Sequence, residues 1–120
     1  MKTKMENKII CGSCQEELKK MENSCIDLTV TSPPYDNIRE YKGYSFETKD
    51  FKTIVSELFR VTKDGGIVVW IVGDSVINGG ESGTSFRQAL GFMEGGFILH
   101  DTMIYEKNTS SFPARRKGKR

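Results

Sequence analysis

Long hydrophobic runs are missing from this chain of 120 residues. No stretch approaches the roughly 20 consecutive apolar residues that span a bilayer, and Met1-Lys2-Thr3-Lys4 leads into polar sequence rather than the apolar core of a secretory signal. A cytoplasmic protein with no membrane partner is expected. Cysteine is scarce and odd in number, at Cys11, Cys14 and Cys25, which argues against a disulfide framework where no export signal is seen. A surplus of one charge sign is lacking too. The 18 basic and 16 acidic residues leave a net charge of +2, so bulk charge neither favours nor excludes a nucleic-acid partner. Apolar residues make up 37%, enough for one modest core, and one domain is the ceiling. Internal repeats and low-complexity segments are absent.

What is present alternates. Lys8-Ile9-Ile10-Cys11 reads as a short strand, and Gly12-Ser13 turns into a helix that Ser13 and Glu16 would open as a capping box, with Cys14, Leu18 and Met21 on one face. Asp27 to Thr31 is β-branched, and Pro33-Pro34 cannot donate to a ladder, so a second strand ends there and delivers Ser32 to Tyr35 at its carboxyl end. Phe51, Ile54, Val55, Leu58 and Phe59 recur at helical spacing, with Gly65-Gly66 expected as a left-handed cap. Ile67 to Val72 is continuously apolar, as in a strand buried on both faces. Phe86, Ala89, Leu90 and Met93 predict a third helix closed by Gly95-Gly96, and Phe97 to Tyr105 a fourth strand; Asp36 to Lys49 and Asn78 to Gly83 are irregular.

The order β-α-β-α-β-α-β predicts an α/β layered domain with a mostly parallel sheet. In such sheets ligands bind beyond the carboxyl ends of the strands. That edge would carry Cys11-Gly12-Ser13, Thr31 to Tyr35 and Gly73-Asp74-Ser75.

Consecutive prolines fix two backbone dihedrals and hold their flanking carbonyls in a defined direction. A planar exocyclic amine of a base is a weak nucleophile because its lone pair is delocalised into the ring. Acceptors for its hydrogens, here the Ser32 side chain and the Pro33 carbonyl, would favour pyramidal geometry and point the lone pair at an incoming methyl group. Tyr35 could stack on a base flipped out of the duplex. The plainer reading is that Pro33-Pro34 only ends a strand and Tyr35 packs on the core.

The segment Asp27-Leu28-Thr29-Val30-Thr31-Ser32-Pro33-Pro34-Tyr35 resembles the catalytic motif of DNA amino-methyltransferases that use S-adenosylmethionine, in the permuted beta group whose catalytic half precedes its cofactor half. Gly12-Ser13-Cys14, Asp64-Gly65-Gly66 with the Trp70 strand, and Tyr105-Glu106-Lys107-Asn108 resemble further conserved segments of that family. The resemblance implies an incomplete Rossmann-like sheet of about four strands with helices between them. It divides the chain into a catalytic half, 1–108, and a basic tail, 109–120, that opens a truncated target-recognition region. It assigns Ser32, Pro33, Pro34 and Tyr35 to catalysis and Ser13, Thr31 and Ser32 to the cofactor. Methyl transfer is then direct and in line, without a covalent enzyme intermediate. DNA is the implied partner, with Arg115, Arg116, Lys117, Lys119 and Arg120 as candidate phosphate contacts if the tail is ordered on it; a solvated tail is the alternative.

In this family a serine before the prolines accompanies cytosine N4 methylation most often, and an aspartate adenine N6 methylation. Cytosine is favoured, with adenine as the alternative. Ring-carbon methylation needs a Pro-Cys pair, and none of the cysteines follows a proline. Two positions depart from the family. Ser13 stands where an acid is usual, and the Phe-x-Gly-x-Gly loop that grips the methionine end of the cofactor is absent. An inactive fragment, or one completed by a second polypeptide or a downstream segment, is therefore an open reading. Cys11-Gly12-Ser13-Cys14 offers a remote alternative as a thiol redox pair, without the preceding tryptophan or the later proline of that fold. A zinc set of Cys11, Cys14, Cys25 and His100 has only one close pair, and no metal is expected.

Overall fold

The computed structural model describes residues 6–34, 48–106 and 108, and the architecture below is that of these residues. The elements run α1 (Cys14–Lys19), β1 (Ile26–Thr31), α2 (Thr48–Val61), β2 (Thr62–Trp70), β3 (Val76–Ile77), β4 (Gly80–Glu81) and α3 (Thr84–Glu94). β1 and β2 pair in parallel; β3 and β4 form a separate antiparallel hairpin. The fold is α/β.

α2 carries the core. Its apolar stripe buries Phe51, Ile54, Val55, Leu58 and Val61. Trp70 meets Phe51 and Phe92 edge-on at ring distances of 5.9 and 4.8 Å, and Phe97 joins the cluster against Phe92 and Phe59 at 5.5 and 5.3 Å. One face of β2 is thereby locked to α2 and α3. Gly91 lies against the Phe51 ring where a Cβ would collide, so α3 approaches α2 closely because this position is glycine.

Arg60 joins α1 to α2. Its guanidinium donates to the Leu18 and Met21 carbonyls and to Asn23 Oδ1, each at 2.8 Å, and pairs with Glu57 at 2.7 Å. The carbonyls at the end of a short helix thus find a charged partner.

Several expectations need correction. Ser13 occupies the N-cap position with extended backbone, but its hydroxyl makes no cap bond and reaches only Gln15 at 3.5 Å, so the capping box does not form. Gly65-Gly66 does not cap α2, which ends at Val61. Both glycines sit inside β2, where the register jumps from Ile26 opposite Thr62 to Leu28 opposite Ile67. Gly65 has φ +84°, and a Cβ on Gly66 would lie 2.6 Å from Thr62 Cγ2. The pair builds a bulge. α3 is present, but it turns Gln88, Gly91 and Phe92 inward and leaves Phe86, Leu90 and Met93 exposed.

The segments 8–11 and 97–105 form no strand. A strand exists through its neighbour's ladder, and among the described residues neither segment has one: Ile9 is 101% and Ile104 88% exposed. Of the four-stranded, mostly parallel sheet that was expected, the described residues form one parallel pair, with helices, beside a small antiparallel hairpin.

Candidate functional site

Parallel pairing aligns the carboxyl ends of β1 and β2. Thr31 lies opposite Trp70, and the Ile71 amide donates to the Thr31 carbonyl at 2.9 Å, which is the last rung. Beyond it the prolines remove the donors that would continue the ladder. Ser32 is exposed, Pro33 is buried and Pro34 half-buried. The turn is therefore anchored through Pro33 while Ser32 faces solvent just past the last rung between Thr31 and Ile71. Thr31 is exposed at the same edge. Tyr35, with its neighbours Asp36 and Asn37, lies outside the described residues, as do Arg115, Arg116, Lys117, Lys119 and Arg120 of the tail.

The loop after β2 is built around Asp74. Its Oδ1 accepts from the Ser85 amide at 2.8 Å and the Ser82 hydroxyl at 3.2 Å, and its Oδ2 accepts from the Ser85 hydroxyl at 2.6 Å. Asp74 caps α3 from a distance, in place of Gly83, which has no side chain to offer at the N-cap position. A carboxylate there satisfies a free amide and suits the positive end of the helix. Ser82 also exchanges bonds with Ser75: its amide donates to the Ser75 carbonyl at 2.7 Å and its hydroxyl accepts from the Ser75 amide at 3.3 Å. This closes the base of the β3–β4 hairpin. Asp74, which the sequence places at the ligand edge, here holds the loop and the start of α3.

Gln88 is the buried polar residue behind this edge, and its Oε1 accepts from Trp70 Nε1 at 2.9 Å. The indole at the end of β2 is thus tied to α3. Sequence reasoning missed Gln88 because a polar residue inside an apolar helical stripe is taken as its solvent side. The signal that could have found it is the chain's single tryptophan, whose N–H needs a partner when buried.

The remaining candidates do not gather here. Ser13 is exposed at the start of α1. Cys11 and Cys14 are free thiols, and partial burial raises the Cys14 pKa above that of an ordinary thiol, against a smaller lowering by backbone hydrogen bonds. A redox thiol at a helix start needs the opposite shift. Among the described residues no group of three or more His, Cys, Asp or Glu side chains could hold a metal ion, and His100 is exposed. Among them, too, no helix is long and apolar enough to cross a membrane.

Comparison with known proteins decides the family. A DNA methylase family model matches residues 26–119, from the start of β1 almost to the end of the chain. The chain belongs to this family of DNA amino-methyltransferases. The orphan methyltransferase M.BamHII of Bacillus amyloliquefaciens is 62% identical over 92 residues, covering 77% of this chain and 34% of that protein. The type II beta methyltransferase M.BslI of Bacillus sp. (strain NEB-606) is 34% identical over 113 residues, covering 83% of this chain and 12% of that protein. The type II methyltransferase M.SmaI of Serratia marcescens is 30% identical over 84 residues, 62% of this chain and 29% of that protein. The methylase chain thus spans between 12% and 34% of the length of these relatives. No solved structure matches it.

Proposed function

We propose that this methylase chain is the base-handling part of a DNA amino-methyltransferase whose target is the N4 amine of cytosine. One observation carries the reading: Ser32 is exposed on a turn anchored by buried Pro33, at the aligned carboxyl ends of two parallel strands. In this reading the Ser32 hydroxyl and the Pro33 carbonyl accept the two amine hydrogens of a flipped base. The hydrogen bonds localise the nitrogen lone pair and hold it toward the methyl donor. Pro34 stiffens the turn, Tyr35 stacks on the base, and Thr31 and Ser32 border the donor. Arg115, Arg116, Lys117, Lys119 and Arg120 contact phosphates, so that DNA affinity falls steeply with salt. Residues 1–108 form the catalytic half and 109–120 lead toward target recognition. The "beta" in the name of M.BslI supports the permuted order.

S-adenosylmethionine is the family's donor, and the described residues do not make a holder for it. The Ser13 hydroxyl is exposed and engaged only with Gln15, and no Phe-x-Gly-x-Gly loop occurs in the sequence. The grip on the cofactor belongs to a further segment or a second polypeptide. The chain alone is expected to bind S-adenosylmethionine weakly or not at all, and titration calorimetry checks this directly.

The test of function uses the chain complemented with the rest of a relative's methyltransferase, incubated with unmethylated DNA and analysed by nucleoside mass spectrometry. N4-methylcytosine is expected, and Ser32→Ala should lower its formation by about a hundredfold or more. N6-methyladenine in its place moves the target to adenine. No methylated base in any complemented form overturns the proposal in favour of an inactive fragment.

A further inference from the structure

The hairpin that follows β2 turns on Asn78-Gly79. Its strands pair Val76 with Glu81 and Ile77 with Gly80, which leaves Asn78 and Gly79 as a two-residue loop. Both have positive φ, +53° and +84°, as a tight hairpin turn requires. Both are exposed, and a Cβ on Gly79 would meet nothing within 4 Å, so the space around this residue is open. An asparagine before a glycine is chemically unstable for a steric reason. The glycine's amide nitrogen can approach the asparagine side-chain carbonyl without the hindrance of a Cβ.

We infer that Asn78-Gly79 is a self-modification site, at which the turn converts to isoaspartate in water and the hairpin opens as a result. A base takes the Gly79 amide proton, and the nitrogen attacks Asn78 Cγ. The N–Cγ bond forms, the Cγ–Nδ2 bond breaks, and the leaving nitrogen takes a proton from water to depart as ammonia. Water then opens the cyclic imide, at the main-chain carbonyl to give isoaspartate or at Cγ to give aspartate. Both products place a carboxylate where the amide was. Isoaspartate also lengthens the main chain by a carbon atom, which a two-residue loop cannot absorb while Ile77 stays opposite Gly80.

Two other asparagines show what the fold adds. Asn7 is exposed at φ +55°, much as Asn78 is, but Lys8 follows it. Asn23 is held at both reacting groups. Its Oδ1 accepts from Arg60 at 2.8 Å, and the amide of the next residue, Ser24, donates to the Arg60 carbonyl at 2.9 Å. Attack at Asn78 needs its backbone to swing out of the left-handed well, and so short a hairpin resists that little. The bonds of Ser82 to Ser75 and Asp74 hold only its base.

The experiment incubates the full 120-residue chain at neutral and at mildly alkaline pH. Peptide mapping follows each asparagine, with mass and retention separating asparagine, aspartate and isoaspartate. Conversion at Asn78 should exceed that at Asn7, and should exceed that at Asn23 by about tenfold or more, because two hydrogen bonds must break there first. It should accelerate at the higher pH, since the attacking amide must lose its proton. In the converted fraction amide exchange across residues 76–82 should rise, while α2 exchanges as before. Asn78→Gly suits the same backbone and carries no side-chain amide, so its hairpin should keep slow exchange throughout the incubation. An Asn78 that stays intact while a synthetic peptide of residues 74–83 converts overturns the inference. So does equal conversion at Asn7 and Asn78, an isoaspartate chain whose hairpin exchanges as slowly as the unconverted one, or an Asn78→Gly hairpin that opens during incubation as the wild type does.

Discussion

The two faces of the β1–β2 sheet are built from the same strands and meet different fates. On one, α2 buries Phe51, Ile54, Val55, Leu58 and Val61, and the aromatic rings of Phe51, Trp70, Phe92 and Phe97 interlock. On the other, Leu28, Val30, Ile67 and Ile71 face water. On β1 the covered row is Thr29 and Thr31 and the bare row Leu28 and Val30, so composition does not explain which face is covered. The difference among the described residues is that α2, the next described element after β1, packs on one side, while nothing described covers the other.

That contrast can be broken at graded cost. The largest effect belongs to Leu58→Ala, which opens a cavity under α2 and should cost about 2–5 kcal/mol, seen as a large drop in the urea midpoint. Arg60→Ala should cost about 1–3 kcal/mol, because the Leu18 and Met21 carbonyls lose their donor; hydrogen exchange should then show α1 opening before α2. Asp74→Ala removes the distant cap of α3 and should cost about 1–2 kcal/mol, with exchange rising first at Ser85 and in the β3–β4 hairpin. On the bare side, Val30→Thr should change the stability of the isolated chain by no more than about 0.5 kcal/mol. A Val30→Thr loss as large as that of Leu58→Ala would erase the distinction between the faces.

The thiols sharpen the picture at the chain's start. Burial raises the Cys14 pKa, so at pH 8 a smaller fraction is thiolate than in an unstructured cysteine peptide. Iodoacetamide should therefore modify Cys14 more slowly than the peptide. Faster modification would revive the redox reading that the Cys11-Gly12-Ser13-Cys14 spacing raised.

Much of the site's edge was legible because its cause is local. Pro33-Pro34 ends β1 through covalent geometry alone, and the stripe from Phe51 to Leu58 declares one buried helix face. The errors fall where a distant partner decides. Gly65-Gly66 looks like a cap from its position after a helix, but a bulge against β1 uses it. Phe86, Leu90 and Met93 look like a core stripe, but Gly91 against Phe51 and Gln88 against Trp70 turn α3 the other way. The apolar runs at 8–11 and 97–105 look like strands, and a run cannot supply its own ladder.

By itself the sequence determined the Ser32-Pro33-Pro34 turn at a strand end and pointed to the methylase family, because residue types with rigid dihedrals act without help from afar. It also determined which segments are helical, through spacing. Only the tertiary structure decided that Asp74 caps α3, which side of α3 packs, and which face of the sheet stays bare among the described residues. Those outcomes turn on contacts between residues far apart in the chain, where packing and hydrogen-bond geometry outweigh local preference.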